Sequence, residues 1–420
     1  MNRIILIGNG FDLAHGLKTS YHDFITHIWE RKIDYIIESQ SFNDPDNDVE
    51  FIIPSHTYGF YKFHELRGLS YDKFKKFIKD PYRIKIKFNN KFLEHITESC
   101  CLNNWVDVEK EYYNLLKKSF GSSSNINIEQ LNKDFTCIKR YLKEYLLTLN
   151  INKDLRKNEI SSNVFEDFKI KDFSQLFLND FVNRILDWTN TLGFGPPPID
   201  DPNRKIKDYF REFPYLRNKK GVLELLNHNN ASDYYSSMIP KDILLLNFNY
   251  TDTSDIYKED GNGSINLKEL HIHGEIKNDN NPMIFGFGDE IDDFYQEIEN
   301  LDDNKYLENI KSTRYHETDN YRLLLEFINS SPFQIFIFGH SCGLSDRTLL
   351  NTIFEHKNCI SIKPFYYLIK KGEDNYSDIV RNISRHFKDK ASLRDKVVNK
   401  TYCTQLCESN VNEPVENSVF

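Results

Sequence analysis

The sequence predicts an α/β fold with a mostly parallel sheet that is split by a large helical insertion. A strand-like run, IILIG (4–8), opens the chain and leads into a glycine turn. Short apolar runs without polar alternation return after residue 240, as expected for parallel strands covered on both faces. The chain between them has helical periodicity. We therefore expect a discontinuous sheet domain over 1–54 and 240–390, a helical insertion over 55–239 and a frayed C-terminal tail over 391–420.

The first strand ends in Gly8-Asn9-Gly10, and an apolar pattern of helical spacing begins at Ser20. This order is typical of a Rossmann-like dinucleotide-binding turn, where amide groups and a helix N-terminus hold phosphate. The third glycine of GxGxxG is absent, because Leu13 stands in its place. A purely structural turn is the alternative interpretation.

Two amphipathic helices are predicted in the middle of the chain, in the stretches 103–120 and 135–149. Trp105, Val108 and Tyr112 share one face of the first helix, which favours core packing, while Glu109 is a weaker candidate for a pocket carboxylate. The stretch 71–91 carries eight Lys or Arg among aromatics. It suits either a contact with nucleic acid or a solvated helix followed by a strand.

Five apolar runs in the last part of the chain predict strands, bounded by Asn, Gly, Asp and Pro. They are DILLLNF (242–248), LKELHIHG (267–274), PMIFGFG (282–288), FQIFIFG (333–339) and CISIKPFYYLI (359–369), the last leading into a helix over 377–387. Ligands of open α/β sheets bind where the strands end. Polar residues at these strand ends are therefore the candidate site.

The run from Asn247 to Asp252 places side-chain amides and a carboxylate at one strand end, although an Asx turn and helix cap explain it equally well. On a strand, His271 and His273 share a face. They could chelate a metal, with partners from other strand ends (Asp12, Asp289 and His340). Alternatively, one neutral histidine acts as a general base near pH 7.

The segment Gly339-His340-Ser341-Cys342-Gly343 matches the G-x-S-x-G nucleophile elbow. A hydrolase would also need an acid and a base, for which Asp374 or Asp378 and His386 are available. In the second interpretation, Gly339 and Ser341 lie against the ribose or phosphate of a nucleotide.

Composition limits the function classes. A net charge of −9 argues against broad binding of nucleic acid, which needs an excess of cations. Seven cysteines without a CxxC pair are typical of a reducing compartment. No apolar run reaches about 18 residues, the length of a membrane span. We therefore expect a soluble cytoplasmic protein without a membrane partner.

Taken in order, these strand-end motifs resemble the abortive infection protein family AbiH of bacterial phage defence. The resemblance spans most of the chain. The residues that carry it are IGNGFDLAHGL (7–17), WVDVEKEYY (105–113), FNYT (248–251), HIHG (271–274), FGFGD (285–289) and FGHSCGLSD (338–346).

The same motifs are similar to a remote version of the sirtuin-like NAD-binding fold. The resemblance implies Asn249 as the reactive-centre asparagine and His273 as general base. It implies dinucleotide contacts from Gly8, Asn9, Gly10, Asp12, Thr251, Asp252, Gly274, Gly339, Ser341 and Asp346, and weaker ones from Glu109 and His15. Three departures matter: Asn9 replaces a small residue, Asp12 stands where a serine is usual, and Thr251 replaces an aspartate unless Asp252 takes its part. The family's zinc-binding cysteines are absent, which removes peptide deacetylation.

The resemblance implies hydrolysis of the nicotinamide–ribose bond of NAD, with NAD or a related nucleotide as substrate, no metal and a phage-derived trigger. A homo-oligomer is compatible with the sequence. Three other functions stay open: a nucleotide-sensing binding module, a serine hydrolase that uses Ser341, and a nuclease that acts through His and Asp residues.

Overall fold

The computed structural model describes residues 1–39, 41, 43–52, 85–103, 107–120, 125–190, 197, 201, 203–228, 230–260 and 265–408. The strands in this part of the chain are β1 (Asn2–Ile7), β2 (Val49–Ile52), β3 (Lys85–Phe88), β4 (Asp242–Asn247), β5 (Asn266–His271), β6 (Phe333–Phe338), β7 (Cys359–Phe365), β8 (Leu368–Lys370) and β9 (Glu373–Asp374).

The α-helices are α1 (Asn9–Ala14), α2 (Tyr21–Ser39), α3 (Lys91–Asn103), α4 (Val108–Ser119), α5 (Ile128–Leu147), α6 (Asn158–Val164), α7 (Gln175–Asn190), α8 (Arg204–Glu212), α9 (Lys219–Leu226), α10 (Ala231–Tyr234), α11 (Asp293–Glu299), α12 (Lys311–Arg314), α13 (Asn320–Ser330), α14 (Arg347–Phe354), α15 (Tyr376–Ser384) and α16 (Lys390–Lys396). Short 3₁₀ helices cover Lys153–Leu155, Ile170–Asp172, Pro214–Leu216, Ser236–Met238, Thr253–Asp260, Asn304–Tyr306, Leu344–Asp346 and Lys400–Tyr402.

The chain forms two compact units. The sheet unit contains Met1–His15, Ile151–Glu275 and the described residues from Tyr315 onward, and the second unit contains the described residues of Gly16–Asn150 and Ile276–Arg314. The helices α6 to α10 therefore belong to the sheet unit.

The sheet unit is built on five parallel strands in the order β5-β4-β1-β6-β7. Numbered along the chain, that order is 3-2-1-4-5, which is the strand order of the doubly wound Rossmann fold. The predicted Rossmann-like α/β fold with a parallel sheet is confirmed.

The central strand β1 shows why the sequence lacks polar alternation. Ile4, Ile5, Leu6 and Ile7 are each at most 2% exposed, because both faces of the sheet are covered. On one face, Ile5 and Ile7 pack with side chains from β4, β6, β7 and α6, among them Leu245, Phe336, Phe338, Phe365 and Ile160. Burying each such side chain contributes about 1.5–3 kcal/mol.

The amino-terminal half of the same sheet contains buried polar groups. Arg3 donates to Val164 O and to Gln334 Oε1, and Gln334 donates to Ser361 Oγ, so a polar chain links β1, β6 and β7. On β7, Lys363 Nζ lies 2.9 Å from Asp172 Oδ2 and 3.5 Å from Glu166 Oε2. The hydrogen bonds among Arg3, Gln334 and Ser361, which are register partners on adjacent strands, favour this register over a shifted one.

The second unit confirms the predicted amphipathic helices as α2, α4 and α5, and adds the antiparallel hairpin β2–β3. The predicted strand PMIFGFG (282–288) is wrong, because its only pairing is an isolated bridge at Phe287. Aromatic packing accounts for this segment instead, since Phe285 stacks on Phe135 with ring centroids 4.9 Å apart.

The chain from 390 to 408 packs on the sheet unit, so a frayed tail is wrong for this part. Leu406 joins the core cluster beside Phe365, and its amide donates to Tyr366 O. The predictions for Trp105, for residues 71–84 of the basic stretch and for 409–420 fall outside the described residues. Within the described part of the chain, no helix has the length and apolarity that a membrane span requires.

Replacing Lys363 with Met should lower the free energy of unfolding by about 3–5 kcal/mol, because Asp172 would be left buried without its main cationic partner. Burial already raises the pKa of Asp172, and the Lys363 ammonium opposes that rise. Urea denaturation of the full chain measures the loss. The double variant Lys363→Met/Asp172→Leu should regain most of it, and equal losses in both variants would contradict this account.

Candidate functional site

The candidate site lies at the carboxyl ends of the strands of the sheet unit. The strand order reverses between β1 and β6, which start connections toward opposite edges of the sheet. Open α/β sheets bind ligands in the crevice at such a switch point. Four turns meet this edge, and they are Gly8–Gly10 after β1, Phe248–Asp252 after β4, Ile272–Gly274 after β5 and Gly339–Asp346 after β6.

The glycines of the first and last of these turns lie against each other. A Cβ atom on Gly8 would lie 2.5 Å from His340 Cα, and one on Gly10 would lie 2.8 Å from Gly339 Cα. Gly339 has a φ of +71°, and its Cβ would lie 2.1 Å from Phe11 N. No side chain fits at these positions, so the glycines let two stretches of main chain touch.

This contact uses the amide groups of the first turn. The N–H groups of Gly8 and Gly10 donate to Phe338 O and Gly339 O, at 3.2 and 2.9 Å, and that of Phe11 donates to Gly8 O at 2.8 Å. The sequence predicted that amides here hold phosphate, but these three donors already have partners within the protein. Asn9, which is exposed, is the residue of the turn that faces solvent.

A chain of hydrogen bonds holds Asn249 in this crevice. Glu269 Oε1 accepts from Asn247 Nδ2 at 3.1 Å, Asn247 Oδ1 accepts from the Asn249 amide at 2.8 Å, and Asn249 Nδ2 donates to Gly8 O at 3.0 Å. Asn249 is half-buried and thus joins the β4 turn to the β1 turn. The Asx-turn interpretation therefore describes Asn247, while Asn249 reaches across to the glycine turn.

Asp12, on α1, is a buried carboxylate in the same crevice. Its Oδ2 accepts from Thr251 Oγ1 at 2.6 Å, while its Oδ1 has no hydrogen-bond partner. Burial raises the pKa of Asp12 to about 6, against hydrogen bonds from Thr251, Thr253 and Asn249 that lower it, and Asp252 adds a smaller like-charge effect. A carboxyl group that titrates near neutrality is suited to proton transfer.

His271 and His273 enter different clusters. The prediction that they share a strand face is wrong, because β5 ends at His271 and a turn carries His273. His271 Nε2 lies 3.2 Å from Glu269 Oε1. Burial alone would lower the pKa of His271, but the hydrogen bond and charge of Glu269 outweigh it and raise that pKa.

His273 belongs to a cluster of two histidines, an aspartate and a tyrosine. His273 Nε2 lies 3.1 Å from Asp346 Oδ1 and 3.3 Å from Tyr315 Oη, and His340 Nε2 lies 3.6 Å from Asp346 Oδ2. The ring of Phe248 contacts both imidazoles, with centroid distances of 5.1 Å to His273 and 4.1 Å to His340. This cluster combines a carboxylate with two buried imidazoles and a phenol.

Two other groups of described residues have the spacing of metal ligands, and a lysine ammonium lies within each. Lys258 Nζ is 2.6 Å from both Asp255 and Glu269 in the group that includes His271. Lys32 contacts Asp44 and Asp48 in the group of three aspartates in the second unit. Among the predicted metal ligands, Asp289 also belongs to the second unit.

The turn after β6 lacks the geometry of a nucleophile elbow. In an elbow the serine takes the strained conformation, whereas here Cys342 has the positive φ of +54° and Ser341 does not. His386 Nε2 bonds to Cys342 O at 2.8 Å, and Asp378 pairs with Arg381. Ser341 is exposed, and its carbonyl accepts from Asn382.

The two weaker candidates have structural partners. His15 Nδ1 donates to Phe11 O and its Nε2 accepts from Tyr257 Oη, both at 2.7 Å. Glu109 accepts from Gly286 N and pairs with Lys311 Nζ at 3.0 Å within the second unit. Gly274 closes the β5 turn with a φ of +81°.

Sequence reasoning missed Glu269 and Tyr315. Glu269 lies inside β5 with a side chain 4% exposed. Because that strand also carries Asn266, Lys268 and His271, nothing in its sequence distinguished this carboxylate. Tyr315 follows a short helix and lies far from His273 along the chain, so no local pattern marks it.

A family model for the bacteriophage abortive infection AbiH proteins matches residues 4–368, a range that contains all four strand-end turns. No curated protein and no solved structure gives a significant match.

Changing Gly339 to Ala should destabilise the protein by about 2–4 kcal/mol, since a Cβ adds overpacking to an unfavourable positive φ. The control is Gly372→Ala in the same unit, where φ is +84° but no atom lies within 4 Å of the added Cβ. That variant should lose about 1 kcal/mol. Denaturation midpoints compare them, and equal losses would show that the main-chain contact has no special weight.

Asp12 should make stability depend on pH. Because its pKa is raised to about 6 in the folded protein, ionisation removes stability between about pH 4 and 6. The free energy of unfolding of Asp12→Asn relative to wild type should therefore rise by about 2 kcal/mol from pH 4 to 7. Urea denaturation at several pH values measures this difference, and a constant difference would contradict the assigned burial effect.

Proposed function

This chain belongs to the bacteriophage abortive infection AbiH family, and on that premise we propose that it acts by hydrolysing the nicotinamide–ribose bond of NAD. Membership of the family assigns the chain a role in abortive infection. The observation that carries the enzymatic proposal is that Asn249 and His273 follow the neighbouring strands β4 and β5, and that Asp346, from the turn after β6, lies 3.1 Å from His273 at the same edge of a Rossmann-like sheet.

The crevice supplies what this substrate needs. Switch-point crevices of this fold bind dinucleotides, and the carboxyl ends of β1, β4, β5 and β6 all face this one. Phe248 contacts both imidazoles of the buried cluster, and its neighbour Asn249 holds Gly8 O. His273 and the glycine turn are therefore linked through two adjacent residues of the β4 turn, Phe248 and Asn249.

The reaction we propose needs no redox step. The bond between ribose C1′ and the pyridinium nitrogen breaks, and its electron pair neutralises the leaving nicotinamide. A water oxygen bonds to C1′, and the water proton passes to the His273 imidazole. Asn249 orients the water and the ribose. The products are nicotinamide, ADP-ribose and one proton, which leaves His273 for solvent.

One alternative is a nucleotide-sensing module that binds without turnover. The observation that favours it is that Asn249 Nδ2 donates to Gly8 O, which is a structural role for the proposed reactive-centre asparagine. A sensor would use the same crevice and would change conformation or partner on binding.

His273→Ala should lower nicotinamide release by at least about 10²-fold, because it removes the proposed base. Asn249→Ala should also impair turnover, and His316→Ala, an exposed histidine of the same unit, should behave as wild type. Release is measured with purified protein, and NAD content is measured in phage-infected cells that express each variant. NAD binding without release, in both settings, would replace the enzyme with the sensor.

A further inference from the structure

Two imidazoles turn the same nitrogen toward one buried carboxylate. His273 Nε2 faces Asp346 Oδ1 at 3.1 Å, and His340 Nε2 faces Asp346 Oδ2 at 3.6 Å. The three side chains are 4%, 5% and 9% exposed for His273, His340 and Asp346. Bulk water therefore screens these contacts little. Each ring nitrogen must then act either as a donor that carries a proton or as an acceptor that does not.

The main chain fixes the tautomer of His340. The amide of Cys342 donates to His340 Nδ1 at 3.0 Å, so that nitrogen is an acceptor and a neutral ring carries its proton on Nε2. Cys342 holds this amide in place with a φ of +54°, a conformation that costs a non-glycine residue about 1–2 kcal/mol. His340 thus turns its Nε2–H toward Asp346 Oδ2, at a distance slightly longer than a hydrogen bond.

The tautomer of His273 follows from its partner. An ionised carboxylate only accepts hydrogen bonds, so His273 donates to it from Nε2. The Tyr315 hydroxyl, 3.3 Å from the same nitrogen, then acts toward it as an acceptor. The lone pair of the neutral ring is then on Nδ1. Phe248 lies edge-on to the ring, and Tyr315 lies parallel to it, so the ring plane is held as well.

We propose that Asp346 is a positioning residue that holds His273 as the Nε2–H tautomer, with His340 fixing the carboxylate from the other side. The inference deepens the proposed function and rests on it for its catalytic meaning. When water gives its proton to His273 Nδ1, the resulting imidazolium keeps its Nε2–H bond to a carboxylate. A carboxylate in that position stabilises the charged ring without itself taking the proton.

The same geometry predicts the effect of the substitution Asp346→Asn. An amide offers one acceptor and one donor, and the two histidines both present Nε2–H. His340 is held by the Cys342 amide, so the Asn oxygen should turn to His340 and its NH₂ group to His273. His273 would then have to accept at Nε2 and move its proton to Nδ1.

The first test reads the tautomer directly and needs no activity. In protein with ¹⁵N-labelled histidine, long-range ¹⁵N–¹H spectra distinguish the two ring nitrogens, and His273→Gln assigns the signals. We expect Nε2–H in wild type and a shift to Nδ1–H in Asp346→Asn. The control Asp172→Asn changes another buried, ion-paired aspartate and should leave the His273 signals unchanged. An Nδ1–H tautomer in wild type, or no change in Asp346→Asn, overturns the inference.

The second test separates positioning from direct contact with the nucleotide. Asp346→Asn should lower kcat by about 10-fold to 100-fold with KM for NAD within about twofold, as for other residues that act through a catalytic group. A raised KM with kcat retained would mean that Asp346 contacts the nucleotide, and would overturn the inference. If wild type releases no nicotinamide in any setting, the proposed function fails, while the tautomer measurement still decides the inference.

Discussion

The site depends on the contact between the turns that follow β1 and β6. Gly8 and Gly10 lie so close to Gly339 and His340 that a single Cβ at any of the three glycines would overlap main-chain atoms. The amide of Gly10 bonds across this contact, and Asn249 bonds to the carbonyl of Gly8. The turns of three strands are thereby held together, and His340, which follows Gly339, is brought to Asp346.

This constraint explains which parts of the fold the sequence could predict. The apolar runs of β1, β4, β6 and β7 could be recognised as strands, because strands covered on both faces do not alternate apolar with polar residues. The glycines also marked the turn after β1, and the structure uses them for the close approach of two main-chain segments, which has the same sequence signature as the close approach of a ligand. The segment 282–288 is the opposite case. Its apolar residues predicted a strand, but they take part in aromatic packing, which has no local periodicity.

The sequence predicted that the candidate site lies at the strand ends, but it did not predict which of the side chains there contact each other. Asn249, His273 and Asp346 could be chosen because parallel strands bring their carboxyl ends to one edge. The separation of His271 from His273 depends on where β5 ends, and element boundaries are weakly encoded. Glu269 and Tyr315 act through contacts with residues on other elements. Glu269 accepts a hydrogen bond from Asn247, and Tyr315 lies within hydrogen-bond distance of His273.

The polar residues at this edge of the sheet differ in their exposure to solvent. Asn9 and Ser341 are exposed, Asn249, Tyr250 and Asp252 are half-buried, and Asp12, His273, His340 and Asp346 are buried. The two inner carboxylates differ in environment, because Asp12 meets hydroxyl and amide groups while Asp346 meets imidazoles. Neighbouring carboxyl groups in different surroundings take different protonation roles. In the proposed hydrolysis, Asp346 keeps its charge beside the His273 imidazolium, whereas burial raises the pKa of Asp12 to about 6, so Asp12 is the carboxyl group that can gain or lose a proton near neutral pH.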